Sequence, residues 1–162
     1  MDVAERLERL EQRVATLESA PPSAEAPGPG PLWALEALKA RVSEPGAVLF
    51  TGSVTLPGPR HYDWQQGFEV DPLLDSDWGA GADSLAALGH PVRLALVQGV
   101  LRGTATAAEL ADIEGLGTSG QLYHHLRQLV AAGWLRSPSR GRYEVPAGRV
   151  IALLVVIAAG LS

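Results

Sequence analysis

The sequence predicts a mainly helical fold with a small β component, and three observations carry that prediction. Capping-box helix starts stand at Thr106-Ala-Ala-Glu109 and Thr118-Ser-Gly-Gln121. Residues 47–70 alternate apolar and polar side chains around a Pro57-Gly58-Pro59-Arg60 turn, the pattern of an antiparallel hairpin. Most other apolar residues recur at helical spacing, from a heptad run at the start to an uncharged run at the end. The 162 residues are 46% hydrophobic and 19% charged, which is globular rather than disordered composition.

Taken in order, Val3, Leu7, Leu10, Val14 and Leu17 form the heptad, with Leu7 and Val14 at a and the others at d. Arg6 and Arg13 fall at g, Glu11 and Glu18 at e, so a parallel pair would oppose unlike charges. Residues 1–20 are therefore expected as a dimerising coiled-coil helix, begun by Asp2 and Glu5 and ended by Pro21-Pro22. Residues 21–31 form a Pro-rich linker. Pro31 is placed to open a short helix with Leu32, Leu35, Leu38 and Val42 on one face, ended by Pro45-Gly46.

Residues 32–83, this helix and the hairpin together, make an accessory region. Val48, Phe50, Val54 and Leu56 share one strand parity, and Tyr62, Trp64, Phe68 and Val70 share another. The aromatics are expected as core beneath the hairpin; the alternative is a small-molecule pocket lined by Phe50, Tyr62, Trp64 and Phe68.

From Ser84 the chain reads helical, bent at Gly89-His90-Pro91, with Leu94, Val97, Val100 and Leu101 expected inward. The two capped helices follow, joined by a tight turn at Ile113-Glu-Gly115-Leu-Gly117, and Gly133 closes the second. Two short β runs, Trp134–Arg136 and Tyr143–Val145, flank a Pro138–Arg142 loop. Helix, turn, helix, hairpin is the order of a winged helix-turn-helix, expected over residues 84–148. Residues 149–162 are an apolar helix too short to span a bilayer, expected to dimerise through Ile151, Leu154 and Val155.

Charge divides along the same line. Residues 1–83 hold 6 basic and 14 acidic side chains, net −8, while residues 84–162 hold 7 Arg and 4 acids, net +3. A polyanion contact confined to the C-terminal half fits that asymmetry.

The run Leu85-Ala-Ala-Leu-Gly-His90-Pro91-Val-Arg93 resembles the opening signature of ArsR-type winged-helix transcription regulators. Glu109-Leu110-Ala111, His125-Leu126-Arg127-Gln128-Leu129 and Ala132-Gly133-Trp134-Leu135 continue the resemblance in order. Tyr123-His124-His125-Leu126 departs from the commoner Ser-Arg-His-Leu form of that family. The resemblance implies a homodimeric DNA-binding regulator, and a repressor before an activator. It also implies inducer sites that this chain lacks. Metal-sensing members place cysteines before the recognition helix, where Ala108-Glu-Leu-Ala-Asp112 stands here. Zinc-sensing members use His and carboxylates on the last helix, which is apolar here. His124 and His125 are adjacent and point about 100° apart on a helix, unfit to chelate one ion. No metal and no cofactor are expected.

Within the second capped helix, Leu122, Leu126 and Leu129 share the core stripe, leaving Ser119, Gly120, Gln121, Tyr123, His124 and Arg127 outward. A helix in the major groove reads bases with its N-terminal residues, so Ser119, Gln121, Tyr123 and His124 are the base-reading candidates. Gln121 suits adenine, Arg127 suits phosphate, and Thr118 caps the helix beside the backbone. His125 is expected half-buried and structural. Arg140 and Arg142 flank Gly141 at the wing tip, placed for phosphate or a narrow minor groove. A two-fold dimer of such helices predicts an inverted-repeat site on double-stranded DNA. An unidentified small-molecule effector in the 46–83 region and a protein-interaction role with vestigial DNA binding are the alternatives.

Enzyme chemistry is not expected. Ser53, Ser76, Ser84 and Ser119 lack a nucleophile-elbow context, and no phosphate-binding glycine loop or His-Glu-x-x-His is present. The absence of cysteine removes disulfides and thiolate sites. The first residues lack the apolar stretch of a secretory signal, so a cytoplasmic, nucleoid-associated protein is expected. Arg outnumbers Lys 12 to 1, the bias of a GC-rich bacterial genome.

Overall fold

The computed structural model describes residues 5–12, 30–113 and 118–162. The chain divides into two compact units, Met1–Arg41 and Val42–Ser162. The boundary separates two parts that the sequence reading had grouped: the short helix falls in the first unit and the hairpin in the second.

The first unit holds helix α1 over 5–12 and helix α2 (Trp33–Lys39). Leu7 and Leu10 of the heptad are exposed on α1; Val3, Val14 and Leu17 lie outside the described residues. Helix α2 begins two residues later than predicted. The Trp33 N–H donates to Gly30 O at 2.9 Å, so Pro31 and Leu32 form the lead-in turn and Leu32 is the cap.

The second unit opens on an antiparallel hairpin, β1 (Ala47–Leu56) and β2 (Arg60–Glu69). Its register runs from Ala47↔Glu69 to Leu56↔Arg60, which puts Phe50, Gly52, Val54, Tyr62 and Trp64 on one face. Helices α3 (Val70–Asp75), α4 (Gly79–Leu88), α5 (Pro91–Leu101), α6 (Ala107–Leu110) and α7 (Ser119–Ala131) follow. A second hairpin, β3 (Arg136–Ser139) with β4 (Arg142–Glu144), precedes the last helix, α8 (Ala147–Leu161). This is the helical fold with small β content, and the winged helix-turn-helix order, that the sequence predicted.

The core gathers one stripe from each helix: Leu96, Val97 and Val100 of α5, Leu110 of α6, Leu122, Leu126 and Leu129 of α7, and Val150 and Leu153 of α8. Leu56 and Tyr62 bring the turn end of the first hairpin onto this cluster. The hairpin lies across α8 at Gly52. A Cβ at that position would stand 2.8 Å from Ile151 Cγ2, so only glycine allows the strand this close.

Three expectations change here. Ile151, expected at a dimer interface, is 2% exposed and already covered by the chain's own hairpin. Leu94, expected inward, is exposed, and Leu96 takes its place in the core; α5 is apolar on nearly every side, so periodicity alone did not separate its faces. Leu94 instead lines a groove of about 380 Å³ between α5 and α8 with Leu101, Leu154 and Ile157. Val48, expected inward, is exposed at the far end of the hairpin.

The aromatic face, expected as core, is only partly so: Tyr62 packs on the cluster while Trp64 and Phe68 are exposed. It encloses neither the cavity between α4 and α7 nor the one between α5 and α8. Trp64 leans toward Gly148, whose added Cβ would be 3.7 Å from its ring, while Phe50 and Phe68 stack at 6.4 Å. Among the described residues no single helix is long and apolar enough to cross a membrane.

Candidate nucleic-acid interface

Both predicted capping boxes form. At α6, Thr106 Oγ1 accepts the Glu109 N–H at 3.2 Å, and Glu109 Oε2 accepts the Thr106 N–H at 2.9 Å. The Thr106 hydroxyl also donates to Glu109 Oε2 at 2.7 Å. These bonds, the Thr106 side chain first, hold the Glu109 carboxyl below its ordinary range, with Arg142 adding a weaker pull. At α7, Thr118 Oγ1 accepts the Gln121 N–H at 3.4 Å, and Gln121 Oε1 accepts the Thr118 N–H at 2.9 Å. The orphan amides that a helix leaves at its N-terminus are thus partly satisfied from within.

The second box orients Gln121, whose Oε1 accepts the Thr118 N–H and keeps a second lone pair, beside the amide NH2, for a base contact. Gln121 is exposed, as are Thr118, Ser119, Gly120, Tyr123, His124 and Arg127, while Leu122, Leu126 and Leu129 are buried. Arg127 turns back along its helix, with Nε donating to Tyr123 O at 3.3 Å. His125 is half-buried.

The wing is tighter than predicted. Trp134 and Leu135 belong to the core, 3% and 1% exposed, instead of to a strand. Trp134 Nε1 donates to Ser84 O at 2.7 Å, and the Arg149 guanidinium lies 4.9 Å from its ring centre. Strand β3 starts at Arg136 and takes in Pro138 and Ser139, so the five-residue loop shrinks to Arg140-Gly141. Gly141 sits at φ +73°, a conformation that the turn requires and side-chain-bearing residues avoid. An Arg136–Glu144 ion pair ties the two strands. Arg140 and Arg142 are exposed and form no ion pair among the described residues.

Two features were missed by sequence reasoning. The first is a third strand-like segment, where β4 pairs with the residues before α6. The Tyr143 N–H donates to Ala105 O at 2.7 Å, the Ala107 N–H donates to Gly141 O at 2.9 Å, and Thr106 bridges Arg142. This sets Arg142 beside the start of α6. Only the β-branched Thr104 and Thr106 could have signalled it, and two residues make no pattern.

The second missed feature is Arg93. Its guanidinium donates to Ala87 O, to Ala86 O at 2.9 Å and to Gln128 Oε1 at 2.8 Å. One side chain therefore caps the end of α4 and holds α7. Burial first, and then neighbouring Tyr123, pushes the Tyr143 phenol above its ordinary value.

The outward residues of α7 and the arginines of the wing turn are exposed, and β4 ties the wing to the segment before α6. Residues 88–137 match the family model of a helix-turn-helix domain. The match runs from the end of α4 through α5, α6 and α7 into β3, and leaves the first hairpin and α8 outside. No curated protein and no solved structure matches the chain. A helix-turn-helix lays its second helix in the DNA major groove. The match thus points to DNA as partner and to transcription regulation. Among the described residues, no three His, Asp or Glu side chains converge to hold a metal ion.

Proposed function

We propose that the chain is a homodimeric, sequence-specific DNA-binding transcription regulator, a repressor of the ArsR type. One observation carries the reading: in the helix-turn-helix, the outward residues of α7 and the arginines of the wing turn are exposed, and β4 ties the wing to the segment before α6. Ser119, Tyr123 and His124 read base edges. Arg127, Arg140 and Arg142 bind phosphates, and Thr118 presents the helix start to the backbone. Gln121 positions that helix start. The net +3 over residues 84–162 supports modest charge-driven affinity, so discrimination rests on base contacts and on dimerisation.

The heptad of residues 1–20 and the outer face of α8 at Leu154 and Val155 supply the dimer. Two α7 helices related by a two-fold axis then read an inverted repeat. Bound to chromosomal DNA, the protein works on the nucleoid, as a binding protein without chemistry of its own.

The test is retention of sheared genomic DNA from the source organism at physiological salt, followed by sequencing. A few sharply enriched sites sharing an inverted repeat are the expected result. Retention without site preference, or none, overturns the proposal.

A further inference from the structure

The joint between α5 and α7 holds two histidines against each other. The ring centres of His90 and His125 are 4.8 Å apart, and His124 lies edge-on to His125 at 5.6 Å. Each of the first two rings is committed to an arrangement that needs it neutral. His90 caps α5, its Nδ1 accepting the Val92 N–H at 3.2 Å, and a protonated nitrogen accepts nothing. His125 Nδ1 is buried with no hydrogen-bond partner, so a proton there would find neither an acceptor nor water.

Arg93 removes the easy escape. Its guanidinium is fixed by Ala86 O, Ala87 O and Gln128 Oε1, the last one turn beyond His125 on α7. It cannot swing away from a new positive charge without breaking that clamp. The charged and titratable groups facing His125 are His90 and Arg93 from α5 and His124 from its own helix, all of them basic. Burial first, then these neighbours, holds the His125 imidazole below its ordinary value.

We propose that the His90–His125 contact is an acid-sensitive lock on the recognition helix, whose protonation separates α5 from α7 and weakens DNA binding. The last step rests on the DNA-binding reading above. The sign follows from linkage. The opened joint takes up a proton near pH 6.5, roughly the free imidazole value, and the closed joint only at lower pH. The lock is therefore fully closed above that value and is lost as pH falls below it.

The test uses the full chain between about pH 7.5 and about pH 5.5, a range that brackets free imidazole. Histidine NMR, amide exchange along α7, and retention of the duplex most enriched from genomic DNA are followed together. The His125 signals are expected to titrate below the free value, and to move toward it in His90→Asn, which keeps a capping side chain without the ring. Protection of α7 should fall with acid in the native chain and stay level in His125→Gln. The closed-to-open ratio of the joint should fall by up to about tenfold for each unit of His125 shift, and duplex affinity should fall with it in the native chain and stay level in His125→Gln.

Ordinary titration of His125 with steady α7 protection overturns the lock. So does an acid loss of DNA that is equal in the native chain and His125→Gln. If α7 opens with acid while no duplex is retained at any pH, the lock stands and the DNA reading falls. Should His125→Gln fail to fold, the His125 titration in His90→Asn decides alone.

Discussion

At Gly52, one missing methyl group decides how a hairpin meets a helix. An added Cβ falls 2.8 Å from Ile151 Cγ2 and 3.0 Å from its Cδ1, and Ile151 is both buried and β-branched, hence stiff. Gly52→Ala is expected to destabilise the protein by about 1–3 kcal/mol, the usual cost of overpacking. The urea midpoint should fall at constant slope; an unchanged or higher midpoint would show that the hairpin shifts freely over α8. Gln121 makes the complementary case, a residue whose amide oxygen closes the α7 capping box. Gln121→Ala removes the acceptor for the Thr118 N–H and should cost about 0.5–1 kcal/mol. Competition among single-base variants of the retained duplex should show uniformly weaker binding. A preference relaxed at one base pair would instead show Gln121 to read that pair as well.

Elements add what no single residue has. The wing is a three-strand arrangement in which β4 is bonded both to β3 and to the segment before α6, so its tip moves with the helix-turn-helix. Arg140 and Arg142 are accordingly tied to the start of α6. Arg140→Ala and Arg142→Ala should each reduce the slope of log affinity against log salt by about 0.9, the release of one phosphate contact, with base preference intact. Binding titrations over a range of salt measure this, and an unchanged slope would place both side chains off the DNA. Capping was legible for α6 and α7 because a box is a local, chemically specific signal over four residues. The start of α2 was less so: Pro31 suits a first helical position, yet the turn back to Gly30 O delays the helix to Trp33.

At the scale of the molecule, the division at Arg41/Val42 separates the heptad segment from everything that builds the core. A chain beginning at Val42 should therefore unfold cooperatively by itself and keep the site preference of the whole, while dimerising more weakly in sedimentation equilibrium. Loss of cooperative unfolding would show that the first 41 residues are needed for the fold. What the sequence determined alone was local or periodic: the two capping boxes, the first hairpin, the α7 stripe of Leu122, Leu126 and Leu129, and the exposed set opposite it. Each of these depends on near neighbours and a repeat of two or 3.6 residues. Only the tertiary structure decided that Ile151 lies under the hairpin, that Leu96 and not Leu94 enters the core, and that Arg93 joins α4 to α7. Where a helix is apolar all round, or a contact joins residues such as Arg93 and Gln128 across the chain, periodicity has no face to choose, and packing makes the choice.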